Sequence, residues 1–179
     1  HRNPSVIVMD FIPNVSASML NERIERFMSI IEDKIPGVQI LFIEHVPFPL
    51  AEFNLKKGEW VEESNEALRK AFRELKKKGY QNLHYLKSEH LLGEDGESTV
   101  DGEHFTDLGF DRFAKGIYPV VKKLGSPYVR SCSVNAIFCC WTSPPIIWIF
   151  SPEKYWKIIC WAIREHCFLS PMTAISSIG

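Results

Sequence analysis

Short apolar runs alternating with amphipathic stretches constrain this chain more than any other feature. Ser5-Val6-Ile7-Val8-Met9 is β-branched and suited to a buried parallel strand. A helical pattern follows from about Ala17 to Asp33, with Leu20, Ile24, Phe27, Ile30 and Ile31 on one face and Ile35-Pro36-Gly37 ending it. Val38–Glu44 reads as a second buried strand. Pro47, Pro49 and the Asn54-to-Gly58 stretch read as a long loop, the kind that lines a cleft when it follows a sheet strand. Trp60 to Lys78 is the next expected helix, with Ala67, Leu68, Ala71, Phe72 and Leu75 inward and Gly79 just past its end. Leu83–Leu86 is a last short strand. Strands alternating with helices require right-handed crossovers, which place helices on both faces of a parallel sheet, so the expected class is α/β.

Beyond that last strand stands Asp101-Gly102-Glu103-His104-Phe105-Thr106-Asp107-Leu108-Gly109. In a tight turn, side chains at i and i+3 can meet, so Asp101 can hold one ring nitrogen of His104 and leave the other to take a proton from a serine. An ordinary Asp-Gly turn with a surface histidine beside a helix is the alternative, and spacing alone does not separate the two. Thr106 suits the N-cap of a helix beginning near Asp107, whose charge favours the first turn. Along Asp107–Leu124, Leu108, Phe110, Phe113, Ile117 and Val120 or Val121 recur at helical spacing, with Arg112, Lys115, Lys122 and Lys123 on the other side. Near the start of the chain, Asn14 falls at the C-terminal end of the first strand, where open α/β sheets place their ligand sites. There too the alternative is punctuation: a strand-to-helix turn at Pro13-Asn14 with Ser16 or Ser18 as N-cap.

The block Asp95-Gly96-Glu97-Ser98-Thr99-Val100-Asp101-Gly102-Glu103-His104, preceded in the chain by Asp10-Phe11-Ile12-Pro13-Asn14-Val15-Ser16, resembles the SGNH (GDSL-like) hydrolases. The resemblance implies a three-layer α/β/α sandwich of flavodoxin-like type and a serine esterase that needs no metal or organic cofactor. It makes Asp101 and His104 two members of a Ser-His-Asp triad and Asn14 an oxyanion donor. Phe105 stands where members commonly carry proline. The implied substrates are small-molecule or carbohydrate esters with short acyl groups, carbohydrate acetyl groups included, in preference to long-chain lipids. The family's Gly-Asp-Ser block with the nucleophile lies N-terminal to the Asn block, and no serine here has that setting. Ser16, Ser18, Ser64, Ser88 and Ser98 read as caps or loop residues. The chain is therefore expected to be the C-terminal portion of such a domain, N-terminally truncated and inactive alone. The rivals are a non-catalytic α/β binding protein and a metal-dependent hydrolase built on Asp101, His104 and Asp107.

Charge adds an exclusion. With 21 Lys and Arg against 22 Asp and Glu, the net charge of -1 offers nothing for a nucleic-acid backbone. Lys76-Lys77-Lys78 ends a helix and suits the negative end of its dipole. Glu44-His45 follows the second strand toward the edge of Asn14, within reach of a substrate, although a loop histidine is ordinarily solvated. His84 in the last strand and His90 after it have little claim to a direct role. The carboxylates Glu94, Asp95, Glu97, Asp101, Glu103 and Asp107 lack the register of a calcium loop.

After Leu124 the composition changes. Residues 125–179 hold all five cysteines and Trp141, Trp148, Trp156 and Trp161, whereas the first part has no cysteine and fits cytosol and periplasm equally. Cys132, Cys139, Cys140, Cys160 and Cys167 form no zinc pattern and cannot all pair within the chain. Ile146–Phe150 is far shorter than the roughly 20 residues of a membrane span, and Tyr155 to Arg164 is read as a short amphipathic helix. The expected organisation is residues 1–124 as the hydrolase portion and 125–179 as a non-homologous, poorly ordered tail, with an accessory module or membrane-surface segment as the alternative.

Overall fold

Alternation along the first strand decides the architecture. In β1 (Val6–Asp10), Val6 and Val8 point to one face and Ile7 and Met9 to the other, and all four are buried. A strand apolar on both sides has to be covered on both sides. In this computed structural model, which describes residues 4–47 and 49–125 and the backbone of Ala136–Cys140, Ile146–Phe150 and Lys157–Ile158, it is. Ile7 and Met9 join Ile40, Phe42 and Leu83 in a core completed by α1 (Ala17–Lys34) and α3 (Leu55–Lys77), through Leu20, Ile24, Met28, Leu68 and Leu75. Val6 and Val8 join Leu41 and Ile43 in a second core with Phe113, Ile117 and Val121 of α4 (Asp107–Leu124) and with Val61 of α3. The two cores are the two inter-layer spaces of an α/β/α sandwich.

β1 pairs in parallel with β2 (Gln39–Ile43), Ile7 opposite Ile40, and β2 in parallel with β3 (Leu83–Leu86), Ile40 opposite Leu83. The expected strands and helices stand, with ends moved by a residue or two except that α3 begins at Leu55, five residues before the expected Trp60. Met28, not singled out from the sequence, is buried in α1, while Ile30 and Ile31 are only partly buried.

The expected loop at Asn54–Gly58 is instead helical. The short α2 (Leu50–Phe53) ends at Asn54, whose N–H donates to the Leu50 carbonyl at 2.9 Å. Its side chain caps α3 by accepting from the Lys57 N–H at 3.3 Å. Gly58, which looked like loop punctuation, is where α2 and α3 cross closely: a Cβ there would lie 3.2 Å from the Ala51 carbonyl oxygen. Polar Lys56, Lys57 and Glu59 carry no apolar period, so the pattern hid the helix.

On its other edge β1 pairs in parallel with β4 (Ala136–Cys140), and the sheet continues antiparallel through β5 (Ile146–Phe150) and β6 (Lys157–Ile158), in the order β3-β2-β1-β4-β5-β6. The helix expected over Tyr155 to Arg164 therefore does not hold at Lys157–Ile158, which pair with Trp148 and Ile149. The remainder of that stretch, and Cys132, Cys160 and Cys167, lie outside the described residues. No described helix is long and apolar enough to cross a membrane.

Candidate active site

The connection from β3 to α4 is long and carries few apolar residues, so it needs anchors. Leu91 and Leu92 are buried in the second core. Two glycines of α4 let the connection lie directly on the helix. A Cβ on Gly109 would come within 2.1 Å of the Ser98 carbonyl oxygen, and one on Gly116 within 2.4 Å of the Leu91 side chain. Arg112, between them, was expected on the polar side of α4. It reaches over the connection instead, donating to both carboxylate oxygens of Asp95 at 2.5 and 2.6 Å, to the Leu92 carbonyl at 3.0 Å and to the Ser98 hydroxyl at 2.9 Å. Hydrogen bonding to this guanidinium holds the Asp95 carboxyl well below the ordinary carboxylate range.

These anchors hold a small hairpin in place. Thr99 and Phe105 form an antiparallel bridge, the Val100 N–H donates to the His104 carbonyl at 2.8 Å, and the Thr106 N–H donates to the Ser98 carbonyl at 3.0 Å. Thr106 caps α4, accepting from the Gly109 N–H at 3.0 Å. Phe105 packs between Phe110 and Phe113, with ring centroids 5.3 and 5.6 Å away, and so ties the hairpin to the second core. Leu108 and Phe110, expected inward, are exposed by 41% and 59% because the hairpin leaves the first turn of α4 at the surface.

At the hairpin tip, Asp101 and His104 meet. One carboxylate oxygen of Asp101 accepts the backbone N–H groups of Glu103 and His104 at 2.9 and 2.8 Å, and the other accepts from His104 Nδ1 at 2.6 Å. Those bonds, the His104 backbone N–H foremost, hold the Asp101 carboxyl at about 2. The same carboxylate raises the His104 imidazole above its ordinary value. With Nδ1 donating to Asp101, the neutral ring keeps its lone pair on Nε2, the state a general base requires. His104 is 76% exposed, so this ring is open to an incoming group.

Asn14 ends a 3-10 turn (Ile12–Asn14) that directly follows β1; its N–H donates to the Phe11 carbonyl at 3.0 Å and the residue is exposed. It follows the carboxyl end of β1, and the Asp101–His104 hairpin follows the carboxyl end of β3. Both strands run parallel to β2 between them, so the 3-10 turn carrying Asn14 and the connection leading to the hairpin leave the sheet at the same edge, two strand positions apart.

The other candidates except Ser64 have structural partners. His45 is not solvated: it is 1% exposed, edge-on to Trp60 with ring centroids 5.4 Å apart, and its Nδ1 lies 2.7 Å from the Val46 carbonyl. Burial holds this imidazole below its ordinary pKa. Asn65 of α3 clasps the backbone of His45, accepting from its N–H at 2.8 Å and donating to its carbonyl at 3.0 Å. Glu44 is buried as well, accepting from the Tyr85 hydroxyl at 2.7 Å and the Ser88 N–H at 3.4 Å, so it faces the interior and not a substrate. Ser16 caps α1, Ser88 donates to the His45 carbonyl at 2.8 Å and Ser98 donates to the Leu92 carbonyl. Ser64 is neither cap nor loop residue; it is buried in α3 with its hydroxyl lacking a hydrogen-bond partner. His84 bonds Gln39 at 2.7 Å and His90 pairs with Glu94 at 3.2 Å. Among the described residues no three His, Cys, Asp or Glu side chains gather as a metal-binding group.

The sequence pattern missed Arg112–Asp95, Lys57–Glu103 and Asn65–His45, each joining residues far apart in the chain. The one available signal was the run of carboxylates before His104, too many for a solvated turn without cationic partners.

The sheet, parallel from β3 through β2 and β1 to β4, is thus followed by a histidine braced by an aspartate. The profile of the GDSL-like lipase/acylhydrolase family matches residues 2–122, and the chain belongs to that family. Among solved structures it is similar to a protein of Bacteroides ovatus ATCC 8483 described as a GDSL-like lipase, with 36% sequence identity and a TM-score of 0.64 over 67% of this chain. The match covers 36% of that protein, so this chain corresponds to only part of its length. No curated protein matches.

Proposed function

We propose that this chain supplies the acid-base half of a serine esterase acting on short acyl esters, carbohydrate acetyl groups included. The observation that carries the reading is the Asp101–His104 pair, bonded at 2.6 Å through Nδ1 with the ring open to solvent. In this reading a serine hydroxyl outside this chain attacks the ester carbonyl while His104 Nε2 takes its proton. Asp101 orients the ring and stabilises the imidazolium. Asn14 donates to the carbonyl oxygen as it gains charge, a kind of contact worth about 3–4 kcal/mol of barrier. Collapse of the tetrahedral intermediate breaks the bond to the alcohol, which leaves with the proton from His104; water then repeats the sequence on the acyl-serine.

Three parts of the proposal are separate. The chain by itself is expected to hydrolyse p-nitrophenyl acetate no faster than its His104→Ala variant. Residues 125–179 are proposed to lie outside the family domain, in keeping with a family match that stops at residue 122. The test of function is a longer protein in which a Gly-Asp-Ser strand precedes this chain. It should show an acyl-enzyme burst that His104→Ala abolishes, and a burst that survives that substitution sinks the assignment.

A further inference from the structure

The Asp101–His104 turn is fastened to another part of the chain at two points. The Leu50 N–H donates to the Gly102 carbonyl at 3.2 Å, and the Lys57 ammonium pairs with the Glu103 carboxylate. Residues 50–57 thus form a corner, α2 running into α3, held against the turn at both ends. Between the two fastenings stand Phe53 and Leu55, exposed by 85% and 75%. Their exposure follows from the backbone: Asn54 is used as the cap between the helices, so its two apolar neighbours are turned away from either core. Val100, next to Asp101, is exposed too. Scattered single apolar residues at a surface need no explanation, but Phe53 and Leu55 stand together on a corner bonded directly to the turn that holds His104. The two charges that make the second fastening, Lys57 and Glu103, neutralise each other.

We infer that Phe53 and Leu55 are the wall on which the hydrocarbon chain of the acyl group lies, making this corner the determinant of acyl length. The inference rests on the esterase reading above and goes beyond it in naming residues and a preference. A patch of this kind offers little to an acetyl group and progressively more to butyryl and hexanoyl groups; the four residues of α2 span about 6 Å, the reach of such chains rather than of long lipids.

The test uses the chain as it is and needs no turnover. The N-methyl amides of acetic, butyric and hexanoic acid, which resist hydrolysis, are titrated into the labelled protein and followed by NMR at His104 and at residues 50–57. Affinity should rise about twofold per added methylene, the gain for half-burying each one on an open wall. The Phe53→Ser/Leu55→Ser double variant should flatten that gradient and leave the acetyl amide as weakly bound as before. Because both side chains are exposed, the variant should keep the wild-type spectrum elsewhere. A gradient that persists in the variant overturns the inference, as does a hexanoyl amide that leaves residues 50–57 unmoved. Failure of the esterase reading shows elsewhere, as an acyl-enzyme burst indifferent to His104, and would not flatten the amide gradient.

Discussion

Gly102 and Leu50 are packed so closely that a Cβ added to Gly102 would lie 2.9 Å from the Leu50 Cβ, and Gly102 itself has φ +84, in the left-handed region. Position 102 thus excludes side chains on two independent grounds, strain and space. Gly102→Ala should cost about 1–3 kcal/mol in urea unfolding. It should also lower the raised pKa of His104 by displacing Asp101, since the turn can relieve the clash only by moving. An unchanged His104 titration would show that the turn is independent of the corner.

The Asp101–His104 pair sets a pH dependence with a definite sign. Asp101, with its pKa depressed from 3.8 to about 2, contributes stability that is complete above 3.8 and lost as pH falls through 2. His104, raised above 6.5, contributes stability that is complete below 6.5 and lost as pH rises through its folded value. The pair's contribution is therefore fullest between 3.8 and 6.5. In the esterase reading proposed above, catalysis needs the neutral ring and runs the other way, so kcat/KM of the longer protein should climb with pH above 6.5. Asp101→Asn should move that rise to lower pH and cut the rate by about 10⁴-fold. Imidazole titration by NMR checks the shift in this chain directly.

Asn65 mimics a neighbouring strand for His45, taking both of its backbone bonds inside the protein. Asn65→Ala should destabilise by about 2–3 kcal/mol because it strands a buried N–H. Asn65→Asp keeps the acceptor for that N–H but loses the donor to the His45 carbonyl. Its loss should be the smaller at low pH, where the carboxyl is protonated. Chemical denaturation at two pH values distinguishes the variants.

Ser64 offers the reverse case. Its hydroxyl is buried without a partner, so Ser64→Ala removes an unsatisfied group and improves helix propensity. Stability should rise by about 1 kcal/mol, and a loss of stability would reveal a hidden bond.

How much of this was legible in the sequence depended on range. β1 and β2 were readable because burial on both faces gives continuous apolar runs, and α1 and α4 because their caps, Ser16 and Thr106, stand beside a 3.6-residue period. The Asp101–His104 contact was readable because its partners stand only three positions apart in the chain. α2 was not, since its four residues are too few to show a period. The inversion of Arg112 had the same root: a cation at an apparently polar helix position looks solvated until its distant partner, Asp95, is known. His45 was misjudged because loop histidines are ordinarily wet, and only the fold reveals Trp60 and Asn65 around it.

The bonds that orient His104 close within four residues, all of them to Asp101. Such a ring costs little loop entropy and can form as soon as the hairpin turns. Asn14 has no such autonomy: in the proposed site it is brought beside the hairpin only by the alignment of β1, β2 and β3. In a partly unfolded molecule the proton acceptor can therefore exist before any oxyanion site does. His104 can then keep its elevated pKa while the sheet melts, so a histidine titration alone reports the turn and not the assembled site.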